Sequence, residues 1–252
     1  MKQIEPQALL ERLRPQRLCF FSEYYDLMRP EEIENRKIKC FANQDETCLA
    51  MTWVYPEWNV AGFIGYDKTF TREVLRGFDK PSIEVVFPVP PGETLPHIKL
   101  RGLRKKAVEE SFAHEGPVPE APIDAHVQLL EKEEFEPLRA IGQGHGNHDN
   151  LNHQPQAFAW MDDGKPLGYL SCGPMIEDIW DVGLIFTLPE CRGRGIATAL
   201  AYAYLKTMRE RGFVPYYSGV TNPASAAAAR KAGFRLCGTR HLYSYKRPKF
   251  NP

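Results

Sequence analysis

The residues with the clearest chemistry are Arg192, Gly193, Arg194, Gly195, Ile196 and Ala197. Before them, Val182, Leu184, Ile185 and Phe186 form a short apolar run of strand length that ends at Pro189, a residue unable to continue a ladder. After them, Ile196, Leu200, Tyr204 and Met208 recur at helical spacing, with Lys206, Arg209 and Arg211 toward the far end, where cations suit the helix dipole. Gly193 and Gly195 permit backbone conformations that side chains disfavour. The pattern is strand, glycine turn, helix. A helix N-terminus has unsatisfied N–H groups, and wrapped in glycine it is an anion site, here read as one for a pyrophosphate. A P-loop would need Gly-Lys-Ser/Thr closing a longer loop, whereas Gly195 is followed by Ile196 and Ala197. A dinucleotide site would need three spaced glycines and an acidic residue after the next strand. The strand Pro215–Val220 instead ends in Thr221-Asn222.

Arg192, Gly195 and Ala197 fit the pattern Arg/Gln-x-x-Gly-x-Gly/Ala, and the continuation extends the match. Arg211-Gly212 supplies a C-cap, Val214–Val220 a strand, and Asn222-Pro-Ala-Ser225 a helix start with Pro223 in its first turn. Lys231, Gly233 and Phe234 complete Lys-x-Gly-Phe. From Asp124 to Lys246, about half the chain, this order resembles the GNAT superfamily of N-acetyltransferases. The Asn-x-x-Ser variant is similar to its zwittermicin-resistance-type branch. The resemblance implies an α/β fold (mixed α+β) with a mixed central sheet flanked by helices. It also implies acetyl-CoA or another acyl-CoA as co-substrate, no metal, and transfer of acetyl to the amine of a small molecule by direct attack in a ternary complex. Backbone groups of Phe186, Thr187 and Leu188 would hold the pantetheine and the thioester oxygen, with Leu188 lining the channel. Amides from Arg192 through Gly193, Arg194, Gly195 and Ile196 to Ala197 would hold the pyrophosphate. Asn222 would contact the pantetheine arm or the thioester end, beside Ser225. The alternative is a non-catalytic acyl-CoA binder acting as sensor or scaffold.

Acyl transfer to an amine needs a proton acceptor, oxyanion stabilisation and a fate for the leaving thiolate. The family's carboxylate base falls about eleven residues before Arg192, at Asp181, with Glu177 and Asp178 nearby. A carboxylate at the start of an apolar strand can have the raised pKa a base near neutrality needs. These acids otherwise read as solvated turn residues. The tyrosine that usually protonates the thiolate is replaced by Ala229. Coenzyme A thiol leaves tolerably near neutral pH, so turnover can survive the loss. Ser225, Tyr217, Tyr243 and Tyr245 are the alternative acids. In Gly142–His153, the spacing of His145, His148, Asp149 and His153 matches no metal motif. The segment reads as a loop that either binds the acceptor, with a histidine as base, or is simply irregular.

These residues need elements to hold them. A length of 252 residues suggests one or two domains, and 43% apolar content suits a globular chain. Basic and acidic residues balance at 32 each, so no net field draws the protein to nucleic acid or anionic membranes. No apolar run reaches membrane-spanning length, and the first residues lack a signal-peptide core. Six cysteines without Cys-x-x-Cys spacing read as reduced thiols of a cytoplasmic protein. The proline-rich Glu115–Asp124 suggests a boundary: an N-terminal α/β domain over 1–115, a linker over 116–123, and the acyltransferase domain over 124–252. The first domain carries a helix over Pro6–Leu13 and another over Thr69–Phe78. Its strands are Leu18–Phe21, Ile38–Ala42, Cys48–Val54, Val60–Ile64 and Ile83–Phe87. It reads either as a degenerate copy of the same fold or as a substrate-shaping domain, without a sequence repeat to decide. The second opens with a strand over His126–Leu130, a helix over Glu133–Ile141, and a hairpin turning at Asp163-Gly164. Trp53, Trp58, Trp160 and Trp180 are expected in the cores.

Overall fold

The computed structural model describes residues 1–143 and 148–248. The elements run β1 (Lys2–Ile4), α1 (Pro6–Leu13), α2 (Phe21–Leu27), α3 (Pro30–Asn35), β2 (Lys39–Ala42), β3 (Leu49–Val54), β4 (Asn59–Ile64), α4 (Lys68–Arg76), β5 (Ser82–Val89) and β6 (Leu103–Ala113). They continue with β7 (Val127–Glu131), α5 (Glu136–Gln143), β8 (Gln156–Asp162), β9 (Lys165–Ile176), β10 (Ile179–Thr187), α6 (Ile196–Glu210), β11 (Val214–Val220), α7 (Pro223–Ala232) and β12 (Arg235–Lys246). The fold is mixed α/β, and the chain divides into two compact units. Unit 1 comprises Met1–Glu110 and the chain from Cys237; unit 2 comprises Ser111–Leu236. The sequence suggested one domain over 124–252, but the segment from Cys237 falls in unit 1. The reason is register: Thr239–Lys246 of β12 pairs antiparallel with Val89–Ser82 of β5. Main-chain pairing leaves little trace in side-chain pattern.

In unit 1, β1, β2, β3 and β4 are successive antiparallel neighbours, and β4 then pairs parallel with β5. A parallel neighbour requires a crossover, which α4 provides. One core places Leu9, Leu13, Tyr24 and Leu27 against Met51 and Trp53; another joins Phe63, Phe70, Leu75 and Phe87. The expected strand at Leu18–Phe21 is instead a turn entering α2. Phe20, Tyr24 and Leu27 are buried at helical spacing, a period that a four-residue apolar run cannot reveal. Trp58 is 51% exposed in the β3–β4 turn, stacked on Tyr55, and is not a core residue.

In unit 2 the order is β7-β8-β9-β10-β11, antiparallel except for β10 with β11, whose crossover is α6. The β8–β9 hairpin turns at Asp163 and Gly164, both with positive φ (47° and 75°), as a primed two-residue turn requires. The helix expected from Glu133 begins at Glu136, because Lys132–Glu134 first forms a tighter turn closed by a Glu131/Glu134 capping box. Ile196, Leu200, Tyr204 and Met208 of α6 are all buried, packing with Phe158, Leu170 and Phe234. A smaller core gathers Phe135, Leu138, Tyr169 and Phe186.

Candidate active site

The site begins where two parallel strands part. β10 pairs with β11 over Ile179–Asp181 against Val214–Tyr216, after which β10 runs on to Thr187 and β11 to Val220. The β9–β10 ladder shifts register on both sides of Val182. Such bulges bend a strand and increase its twist. Gly173 makes this one possible, since a Cβ there would lie 2.9 Å from the Gly183 nitrogen and 3.0 Å from the Asp181 carbonyl oxygen. The bend leaves Ile185, Phe186 and Thr187 bordering an open cleft of about 780 Å³.

The glycine loop forms another wall. Pro189–Cys191 makes one tight turn, Arg192 is extended, and Gly193 (φ 79°) and Gly195 (φ 85°) are left-handed. Gly195 caps α6 with no side chain, and the first helical bond is Ala199 N–H to Gly195 C=O at 3.0 Å. The amides of Ile196, Ala197 and Thr198 therefore have no intrahelical acceptor, and all three residues line the cleft. Arg192 and Lys231 also line it, adding positive charge to the positive end of the helix dipole. This arrangement offers unpaired amide donors and positive charge, the features that suit an anion.

α7 closes the cleft opposite. The Asn222 Oδ1 accepts from the Ala224 and Ser225 amides at 2.8 and 3.0 Å, and its Nδ2 donates to Ser225 Oγ at 3.1 Å. Much of the hydrogen-bonding capacity of Asn222 is thus spent on capping the helix. Gly233 ends α7 in the left-handed region (φ 102°), and Phe234 is buried below it. Ala229 is fully buried in the same core as Tyr217 and Phe234. All but two of the expected coenzyme residues border the cleft; the exceptions are Leu188 and Arg194. Leu188 packs on the two cores of unit 2. Arg194 reaches Asp162 at 3.7 Å and the Cys191 thiol at 3.8 Å. Sequence reasoning missed Ala224, Ala227 and Ala228, which border the cleft on α7; their spacing from Asn222 was the available signal.

Asp181 is the last residue of β10 paired with β11. It is buried, and it accepts from the Ser218 hydroxyl at 2.7 Å and the Ser218 amide at 3.2 Å. Burial raises its pKa to about 7, against the opposing pull of the Ser218 bonds. The neighbouring Glu177 lies in the β9–β10 turn with φ 51°. Among the alternative acids, Tyr243 and Tyr245 pack in the core of unit 1 around Phe87, whereas Tyr217 and Ser225 belong to unit 2. His145 lies outside the described residues, as do the side chains of His148 and Asp149. His153 ends a short turn and is exposed.

Residues 123–234 match the model of the Acetyltransferase (GNAT) family. No curated protein matches the chain. Among solved structures, a GCN5-related N-acetyltransferase from Sphaerobacter thermophilus is 15% identical. That alignment covers 100% of this chain and 96% of the other, with a TM-score of 0.60. An acetyltransferase of the GNAT family from Colwellia psychrerythraea is 14% identical over 97% of this chain and 99% of its own, with a TM-score of 0.54. A GCN5-related N-acetyltransferase from Kribbella flavida is 18% identical over 79% and 87%, also with a TM-score of 0.54. At these identities the likeness is one of fold.

Proposed function

We propose that this protein is an acyl-CoA-dependent N-acyltransferase that moves acetyl from acetyl-CoA to the amine of a small molecule. The observation that carries this reading is the glycine-wrapped N-terminus of α6, opening on a cleft at the end of β10 that is no longer paired with β11. The amides from Ile196 to Thr198, with Arg192 and Lys231, hold the pyrophosphate. Backbone groups of Phe186 and Thr187 face the pantetheine and the thioester. Asp181 accepts the amine's proton, directly or through water, because its pKa near 7 leaves it partly ionised at neutral pH and still basic enough to act. The amine nitrogen attacks the thioester carbon, the C–N bond forms, the C–S bond breaks, and the electron pair leaves on sulfur. The Asn222-x-x-Ser225 helix start keeps the zwittermicin-resistance-type branch as the reading of subfamily.

A second reading, a non-catalytic acyl-CoA binder, is favoured by one observation, the alanine at 229 where the usual acid would be. Release of free thiol from acetyl-CoA over a panel of polyamines, aminoglycosides, amino acids and peptide N-termini decides between them. Amine-dependent thiol release supports the enzyme. Tight coenzyme binding by calorimetry with no amine-dependent release across the panel supports the binder.

A further inference from the structure

A single residue holds both oxygens of Asp181. Its Oδ2 accepts the Ser218 hydroxyl at 2.7 Å and its Oδ1 accepts the Ser218 amide at 3.2 Å. Register brings the two together: Asp181 pairs with Tyr216, and Ser218, two residues on, shares Tyr216's face of β11. An ionised carboxylate only accepts, so the serine's one hydrogen is committed to Oδ2. The short separation is that of a charge-assisted bond, stronger than one between neutral groups. Two donors on one strand, one to each oxygen, fix the rotation of the carboxyl group. Asp181 is buried, whereas Ser218 is only partly so.

Among the described residues, no lysine, arginine or histidine pairs with Asp181. The titratable groups around it are Tyr204 of α6, whose hydroxyl donates to the Trp180 carbonyl, Tyr217 of β11, and Cys172 of β9, in the same core as both. Burial pushes all three up, Cys172 and Tyr217 to about 12, so they stay neutral wherever a base near neutrality works. The carboxylates nearest in the chain, Glu177 and Asp178, lie in the turn before β10. Against burial, which favours the protonated acid, the Ser218 hydroxyl supplies the largest opposing pull, ahead of the Ser218 and Val182 amides. We infer that Ser218 is the positioning residue of the base: its hydroxyl and amide fix the Asp181 carboxyl group between β10 and β11 and favour its ionised form. This inference rests on the reading of Asp181 as the base and deepens it. Ser218 does not border the coenzyme cleft, so its effect reaches the reaction only through Asp181.

The first arm of the test needs no acceptor. A nuclear magnetic resonance titration of the full chain carrying carbon-13-labelled aspartate reports the Asp181 carboxyl group directly, with Asp181→Asn identifying its signal. Ser218→Ala removes the hydroxyl donor and leaves the amide in place. It should raise the carboxyl pKa by about one pH unit, a tenfold change in the ionisation constant. Ser218→Thr keeps a hydroxyl and should return the wild-type value. In thiol release from acetyl-CoA, the acidic limb of kcat/KM should move to higher pH by the same amount in Ser218→Ala, with calorimetric affinity for acetyl-CoA unchanged. Equal carboxyl pKa values in wild type and Ser218→Ala would overturn the inference. So would a shift that Ser218→Thr fails to reverse, since that would trace to packing and not to the hydroxyl. A limb that stays in place while the carboxyl pKa moves would remove Asp181 from the base's role, and the positioning role with it. No thiol release with any amine would overturn the acyltransferase reading itself, and the carboxyl titration tells that failure apart from failure of the Ser218 bond.

Discussion

Replacing Asp181 by asparagine should make the protein a poorer catalyst and a more stable fold, and both effects have the same physical origin. Asp181 is buried, and its pKa is raised to about 7 from an unfolded value of about 3.9. The folded chain therefore holds this proton over a pH range in which the unfolded chain has released it. The stabilisation is complete below about pH 4, falls as pH rises, and is lost above about pH 7. Three pH units correspond to about 4 kcal/mol as an upper bound, at 1.36 kcal/mol per unit. Asparagine is neutral throughout and retains the geometry, since its oxygen can accept the Ser218 amide and its nitrogen can donate to the Ser218 hydroxyl. Thermal melts should show Asp181→Asn more stable than wild type at pH 8, by several degrees, with the gain shrinking toward pH 4. In turnover, the base must be ionised, so the wild-type rate should fall as pH drops below about 7. The variant should lose that acidic limb and about a hundredfold or more in kcat. A melting difference independent of pH, together with an unchanged acidic limb, would refute both the burial argument and the role. The base would then be sought at Glu177 or in the histidine loop.

Other substitutions probe the cleft and its supports. Gly195→Asp places a β-carbon and a negative charge where φ is 85° and anions are meant to bind, so calorimetry should show acetyl-CoA binding lost. Unchanged binding would mean the anion sits elsewhere. Ala229→Tyr does not recover the family's acid. It should overpack the core of unit 2 and destabilise by about 1–3 kcal/mol, read from denaturant midpoints. Asp67→Ala removes the carboxylate that accepts the Phe70 amide at 2.6 Å and should cost about 1 kcal/mol in the same measurement.

What was legible in the sequence was local. The glycine loop and α6 could be read because φ-restricted turns and a 3.6-residue period both fall within twenty consecutive residues. Leu188 and Arg194 were expected to act through backbone groups, and their side chains go elsewhere because neighbouring positions on an extended or turning chain point different ways. Leu188 went to the cores and Arg194 to Asp162. The environment of Asp181 was not readable, because the Ser218 that binds it is on the next strand and is brought close only by parallel pairing. Likewise, Phe20 and Tyr24 are equally apolar as strand or helix, and they are buried as part of a helix entry in the core with Met51 and Trp53. The pairing of the segment from Cys237 was out of reach for a similar reason: its partners in β5 lie about 150 residues earlier in the chain.

The two units show how little of this chemistry belongs to the fold. Each has a run of antiparallel strands followed by a parallel pair whose crossover is a helix: β4, α4 and β5 in unit 1, and β10, α6 and β11 in unit 2. Both crossover helices present the positive end of a dipole just after a strand. In unit 1 that end is already occupied. Asp67 caps α4 with its own carboxylate, and the hollow beside it is bordered by Asp45 and Glu73, the latter held by the Met1 ammonium at 3.0 Å. In unit 2 the same end has Gly195 in place of a capping side chain, with Arg192 and Lys231 at the rim. An arriving anion meets free amides and cations at α6, and a carboxylate already bonded to the amides at α4. Element order alone does not distinguish the two helix ends. The capping residue and the charges around it do, and they leave the helix end in unit 2 the one suited to an anion.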